Sequence, residues 1–285
     1  MSALRGLLLA LVLVCVRSLR VGLGGAKRSG AVTPHRLLLK PLAMSAQGKQ
    51  VELTTPPTRV YPERHDNVLE RAAILVLSLA LSRFLTTEEL KREARFLLRW
   101  DSSFVEFCGI TKLLLRKANG SVESMQARIV KLLNMLVPPQ AKKFFKDTYL
   151  TNARLICEQS SEWIARFGLI SWLIGSDVER FTVSVPKAAD ETESWLSGLE
   201  AKQCRYLLES GCKSACVNIC KIPTQAFFND VVGLPLRMTP DYDKGSCKFE
   251  FGLPPLPKEE DPAFTTPCYL GCSVSQEKGA STRCS

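Results

Sequence analysis

The sequence predicts a mainly α protein with a small α+β part: a helical bundle followed by a cysteine- and proline-rich C-terminal region with short strands. Three observations support this fold class. From Glu63 to Gly175 the only prolines are Pro138 and Pro139, and helix-start signals recur. After Gly175, short alternating segments replace the helical periodicity. Eight of the sixteen prolines lie between residues 223 and 267, and seven of the eleven cysteines lie between 204 and 272.

The formal charge of +10 is concentrated at the N-terminus. Residues 1–51 hold eight Lys/Arg and no acid, which leaves 30 Lys/Arg against 28 Asp/Glu, a net of +2, for residues 52–285. A nearly neutral body gives no support to a phosphate-binding surface, so we expect no nucleic-acid partner.

The first 50 residues have the composition of targeting segments. Residues 1–20 are signal-peptide-like, with Arg5 before a ten-residue apolar run, Leu7–Val16, that is too short to span a bilayer. Residues 21–50 are basic, acid-free and transit-peptide-like. Together they fit a bipartite address for a plastid that lies inside an endomembrane, or the plain signal peptide of a secreted protein.

Residues 60–176 are predicted to form the helical domain. Thr86 with Glu89 and Ser103 with Glu106 have capping-box spacing, and Pro139 suits a first helical turn. The first helix is apolar on nearly every face, which favours a central bundle helix over one facing a membrane or apolar ligand. The expected helices are Glu63–Leu85, Thr86 to about Trp100, Ser103 to Asn119-Gly120, Met125–Leu136, Pro139–Leu150 and Arg154–Ile174.

Residues 177–272 are predicted to form the cysteine-rich C-terminal domain, and residues 273–285 a tail. Phe181–Val185 and Lys248–Phe251 alternate as strands do, and Leu199–Glu209 fits either a helix or a strand. The run Glu259-Glu260-Asp261 indicates a solvated loop. Aromatic and methionine side chains here are expected to be core residues: Phe227, Phe228 and Met238.

Cys212, Cys216 and Cys220 lie four residues apart on a predicted helix that begins near Ser210-Gly211 and ends before Pro223. Each four-residue step advances about 400° and rises about 6 Å, so the three sulfurs form one stripe that is poorly placed for bridging within the helix. They can share a ligand, or pair with three cysteines elsewhere: Cys247, Cys268 and Cys272. Cys108 and Cys157, on apolar helices, are expected to be small buried hydrophobic residues.

The spacing leaves three interpretations of these cysteines open. One is an iron or iron–sulfur centre held by thiolates. Another is structural zinc, although zinc sites usually use Cys-x2-Cys pairs. The last is a disulfide framework in a secreted protein. The two histidines, His35 and His65, lie far upstream, which disfavours a histidine-based iron site or a catalytic Ser-His or Cys-His pair in this half.

The C-terminal region resembles the plastid β-carotene isomerase family, the Dwarf-twenty-seven-like proteins of the strigolactone pathway. Many fixed spacings carry this resemblance, with weaker similarity upstream in Val137–Ala141 and Trp172–Gly175. The matching residues are Cys204–Leu207, Ser210–Cys212, Cys216, Asn218, Cys220–Gln225, Phe227-Phe228, Gly233–Leu236, Met238, Pro240, Ser246-Cys247, Phe251-Gly252, Pro254-Pro255, Asp261–Ala263 and Pro267-Cys268.

The resemblance implies a carotenoid cis/trans isomerase of the all-trans/9-cis β-carotene type that contains iron, either mononuclear or iron–sulfur. It favours the bipartite plastid address and a carotenoid substrate met at a membrane surface. It assigns no catalytic or substrate-binding residue. The expected iron ligands are Cys212, Cys216, Cys220, Cys247, Cys268 and Cys272, with Cys204 as a seventh candidate. The competing hypothesis is a secreted, disulfide-stapled binding protein without catalysis.

Overall fold

A computed structural model describes residues 43–44, 50–51, 55–57, 66–85, 103–117, 122–168, 170–188, 191–269 and 272. The chain divides into two compact units, Met1–Glu52 and Leu53–Ser285. In the first unit, Ala43–Met44 (β1) pairs antiparallel with Gln50–Val51 (β2). The predicted segment 1–20, most of 21–50, the helix from Thr86 to Trp100 and the tail 273–285 lie outside the described residues.

The second unit begins with helices, as predicted. Their bounds are Val68–Ser82 (α1), Phe104–Lys117 (α2), Val122–Leu136 (α3), Pro139–Thr151 (α4), Ala153–Phe167 (α5) and Ser171–Ile174 (α6). Capping fixes where α1 starts: the Asn67 side chain accepts from the Glu70 N–H, and the Glu70 carboxylate accepts from the Asn67 N–H. Ser103 and Glu106 make the predicted reciprocal bonds at the start of α2.

The single helix predicted over Arg154–Ile174 is wrong. Gly168 has φ +57° and ends α5, with its N–H donating to the Ile164 carbonyl. Only glycine adopts this left-handed conformation readily, so the chain turns there and restarts as the short α6. The physical signal was therefore present in the sequence as a glycine inside an otherwise helical pattern.

Four antiparallel strands follow: Val178–Ala188 (β3), Glu191–Ala201 (β4), Leu236–Asp241 (β5) and Ser246–Phe251 (β6), in the order β3-β4-β6-β5. The two predicted strands are confirmed within β3 and β6. The ambiguous segment is divided, because β4 ends at Ala201 and α7 (Arg205–Ser210) follows. The sequence patterns do not predict β5. It contains Pro240, which the sheet tolerates because β5 is an edge strand.

A mixed helix connects α7 to β5. It consists of Lys213–Ala215 (α8), a π-helical segment Cys216–Lys221, Ile222–Ala226 (α9) and a second π-helical segment Phe227–Val232. The predicted end before Pro223 is wrong, since Ile222 keeps helical dihedrals of −60° and −50°. The wider π turn ahead of Pro223 relaxes the contact between the proline ring and the preceding carbonyls that normally ends an α-helix.

The helices and the sheet share one hydrophobic core. Helix α5 packs against β4, and α4 packs against α5 and the second π segment. Phe227 and Met238 are buried in this core and Phe228 packs against it, so all three are core residues as predicted. Short Pro262–Thr265 (α10) completes the described fold. No described helix is both long and apolar enough to cross a membrane.

Candidate functional site

The cysteines of the C-terminal region lie in its core. Six of the seven lie outside any disulfide, and of these all but the partly exposed Cys220 are buried: Cys204, Cys212, Cys216, Cys220, Cys247 and Cys272. Cys268 is disulfide-bonded. Six cysteines outside any disulfide do not form the disulfide framework of the competing hypothesis, which the structure therefore does not favour.

Four of these thiols form what we call the four-thiol cluster: Cys204, Cys216, Cys220 and Cys247. Three elements bring them together. Cys204 precedes α7, and its N–H donates to the Gly245 carbonyl in the turn before β6 at 2.7 Å. Cys216 and Cys220 lie on the first π segment, and Cys247 lies on β6. Burial raises the pKa of Cys247, and electrostatic repulsion from Cys204, Cys216 and Cys220 raises it further, as expected for four sulfurs in one neighbourhood.

Burial controls the protonation of the cluster. It raises the pKa of every member, and repulsion from neighbouring cysteines raises the pKa of Cys216, Cys220 and Cys247 further. For Cys220 the pKa rises to about 12. At neutral pH the four groups are therefore neutral thiols, which are weak nucleophiles and weak metal ligands until they lose their protons.

The donor chemistry of the cluster suits a soft metal, because thiolate sulfur is the ligand of iron–sulfur and zinc sites. The positions of the side chains, in contrast, do not suit a metal ion. Within the residues that the structure describes, no group of three or more His, Cys, Asp or Glu side chains is placed to hold a metal ion. The residues as they stand do not form a ready ligand set, so the iron centre stays a prediction.

Cys212 lies apart from the cluster. It is the N-cap of the mixed helix rather than a member of it, with φ −141°, and its sulfur accepts from the Ala215 N–H at 3.4 Å. Its sulfur is 3.7 Å from that of Cys272. The predicted regular α-helix carrying Cys212, Cys216 and Cys220 is thus replaced by a capping residue and a π segment, in which a four-residue step falls short of a full turn.

A buried ion pair adjoins the cluster. The Lys221 ammonium donates to the Asp261 carboxylate, and both side chains are almost fully buried. Burial is the largest influence on the pKa of Cys216 and of Cys247, and it raises both values. The positive charge of Lys221 lowers both values in part. Asp261 also accepts from the Ala263 N–H and so caps α10.

The prediction of a solvated loop over Glu259-Glu260-Asp261 is therefore only partly right. Glu259 and Glu260 are exposed, whereas Asp261 is buried. One sequence signal could have found it: an aspartate directly before a proline is the pattern of an N-cap followed by Pro at the first helical position. Its partner Lys221, 40 residues earlier, gives no local signal.

A second buried lysine lies among aromatic rings. The Lys213 ammonium is 4.4 Å from the ring centre of Tyr269 and 5.0 Å from that of Tyr242. The Tyr269 hydroxyl donates to the Tyr242 carbonyl at 2.7 Å, which fixes the two rings edge to face. Burial lowers the pKa of Lys213, and the negative ring faces stabilise its charged form.

The comparison with known families covers this thiol-lined core. Residues 172–260 match the family described as β-carotene isomerase D27-like, C-terminal. The resemblance stated from the sequence is confirmed for this region. The matched segment contains the four-thiol cluster, Cys212 and Lys221, whereas Asp261, Cys268 and Cys272 lie beyond it.

Two curated relatives carry the name "β-carotene isomerase D27, chloroplastic". The protein of Medicago truncatula is 34% identical over 131 residues, which are 43% of this chain and 46% of that protein. The protein of Arabidopsis thaliana is 37% identical over 123 residues, which are 42% of this chain and 44% of that protein. The chain thus spans less than half the length of either relative. No solved structure matches it.

Proposed function

We propose that this chain is a carotenoid cis/trans isomerase of the all-trans/9-cis β-carotene type that works in a plastid. The observation that carries the proposal is the match of residues 172–260, because those residues build the buried core with its four-thiol cluster. The names of the two relatives supply the substrate class and the chloroplast. The acid-free basic segment 1–51 supports a targeting role and is compatible with the bipartite route through an endomembrane.

Rotation about a polyene double bond requires a momentary loss of bond order. The reaction leaves the number of electrons and protons unchanged, so it needs no stoichiometric reductant. This agrees with a sequence that lacks a G-x-G-x-x-G fingerprint for a dinucleotide. What the described residues supply is a tightly packed, largely apolar interior that excludes water around thiols, Lys221 and Asp261.

The direct test is turnover in the dark. All-trans β-carotene in detergent micelles is incubated with the full chain and no nicotinamide or flavin, and the isomers are separated by chromatography. We expect 9-cis β-carotene to accumulate at a rate proportional to protein concentration, at least tenfold above buffer. A rate equal to that of buffer and of heat-denatured protein, for β-carotene and related carotenoids, would rule out the proposed activity.

Thiolate-bound iron is a separate part of the proposal, and iron per chain measures it after purification without air. We expect the content to fall well below wild type in Cys216→Ala, Cys220→Ala and Cys247→Ala, because each removes one sulfur donor from the four-thiol cluster. Cys108→Ala is the matched control, since Cys108 is a fully buried thiol on α2, outside the matched segment. Retention of iron in all three variants would contradict cysteine ligation.

A further inference from the structure

Large apolar side chains are exposed in one stretch of the helical region. Four of the nine large apolar side chains that are exposed in the described residues are concentrated at the end of α3, on α4 and at the start of α5: Met135, Phe144, Leu150 and Leu155. Phe144 is 52% exposed and Leu150 is 73% exposed. Helix α4, which carries these two, has no fully buried residue.

The same helix has a second, inward side. Phe145 and Tyr149 pack against the core, and the Phe145 ring meets that of Trp163 at 6.2 Å between centres. Phe144, Asp147 and Leu150 lie one turn apart on the outward side. Helix α4 is therefore anchored by one side and presents aromatic and aliphatic groups to solvent on the other.

Lysines border the outward apolar side chains. Lys142, Lys143 and Lys146 stand against a single acid, Asp147, on α4. Lys142 bonds Asn134 at the end of α3, and Lys143 pairs with Asp147 at 2.6 Å with both side chains well exposed. Exposed apolar groups framed by lysines are typical of helices that lie in the interface of a bilayer with anionic lipids.

We propose that α4, with Met135 and Leu155 beside it, docks this protein on an anionic lipid bilayer. Charge complementarity selects that occupant, because the lysines match a negative lipid surface while the apolar groups enter the headgroup boundary. Docking brings the protein to the membrane in which a carotenoid is dissolved. The purpose of the docking site therefore rests on the proposed function. Helix α4 packs against the second π segment of the mixed helix, whose first π segment carries Cys216 and Cys220.

The test uses the full chain with vesicles of equal parts phosphatidylglycerol and phosphatidylcholine, and with pure phosphatidylcholine. Because residues 7–16 are a second apolar segment, the decisive measurement is local: hydrogen exchange of the amides in 139–151. We expect anionic vesicles to slow this exchange, pure phosphatidylcholine to do so far less, and added salt to reverse the effect.

Two variants separate charge from apolar contact. Lys142→Gln/Lys143→Gln/Lys146→Gln should lower the affinity for anionic vesicles by about fivefold per lysine, on the order of 100-fold in total. This affinity is measured from the vesicle concentration that protects the amides in 139–151. Phe144→Ser/Leu150→Ser should also abolish the protection, and both changes are at exposed positions. Lys187→Gln/Lys244→Gln/Lys258→Gln is the matched control, because it removes the same charge from exposed positions elsewhere and should leave the protection intact.

The proposal is overturned if anionic vesicles leave exchange in 139–151 unchanged, or if the control triple variant loses as much protection as the α4 variant. Protection that appears without lipid and rises with protein concentration would overturn it too, and would assign the surface to a second copy of the chain instead. The vesicles contain no carotenoid and the turnover assay in micelles contains no bilayer, so failure of docking and failure of the isomerase function are distinguishable.

Discussion

Replacing Lys221 by methionine is expected to lower the free energy of unfolding by about 3–5 kcal/mol. The substitution leaves the Asp261 carboxylate buried without its ionic partner, and an uncompensated buried charge is far more costly than a lost surface pair. Urea unfolding of the full chain, followed by circular dichroism, measures the change.

Two controls show that the effect comes from the unpaired charge. Lys221→Met/Asp261→Asn removes both charges yet keeps a side-chain oxygen to accept from the Ala263 N–H, so we expect it to recover more than half of the loss. Lys143→Met breaks the exposed pair with Asp147 and should have little effect. A loss below about 1 kcal/mol for Lys221→Met would show that the pair is solvated in solution, contrary to the structure.

Alkaline pH is expected to destabilise the fold of the metal-free chain steeply. Burial raises the pKa of each thiol in the four-thiol cluster, whereas an unfolded chain returns it to about 8.5. Above that value the unfolded chain has lost protons that the folded chain keeps, so the free energy of unfolding falls as pH rises. The slope is about 1.4 kcal/mol per pH unit for each thiol, from about pH 8.5 until the folded-state pKa is reached, which is about 12 for Cys220.

Denaturant unfolding at intervals from pH 7 to about pH 11 gives this slope, and Cys220→Ala should reduce it by the share of one thiol. Stability that is level across this range would contradict neutral buried thiols. A cluster that holds a metal as thiolates behaves in the opposite way: it loses stability as pH falls, because protons compete with the metal. The sign of the pH dependence therefore distinguishes the free thiols from the proposed iron centre.

Local chemistry determines which features could be predicted from the sequence. Ser103 with Glu106, Pro139, and the apolar period of Met125–Leu136 each act within a few residues, and the helices that they predict are present. Pro240 concealed β5, because a proline excludes a central strand but not an edge strand. Pro223 predicts a helix end, but the π turn before it lets the helix continue.

The site was harder to predict than the fold, because its contacts are long-range. The sequence identified the cysteines that line the core, but a uniform α-helical geometry could not show that Cys212 faces Cys272 while Cys216 and Cys220 join Cys204 and Cys247. The pair of Lys221 and Asp261 joins residues 40 positions apart, and neither has a periodicity that marks it as buried. Such pairs follow from tertiary packing, which local patterns do not encode.

An isomerase catalyses the interconversion of the two isomers, whereas a binding protein only takes up one of them. The most direct measurement starts parallel dark reactions from pure all-trans and pure 9-cis β-carotene, each in large molar excess over the protein. We expect both reactions to converge on the same isomer ratio, and more protein to change only how fast they reach it. Ratios that stay at their starting values, or that shift only in proportion to the amount of protein added, would contradict catalysis and indicate a carotenoid-binding protein.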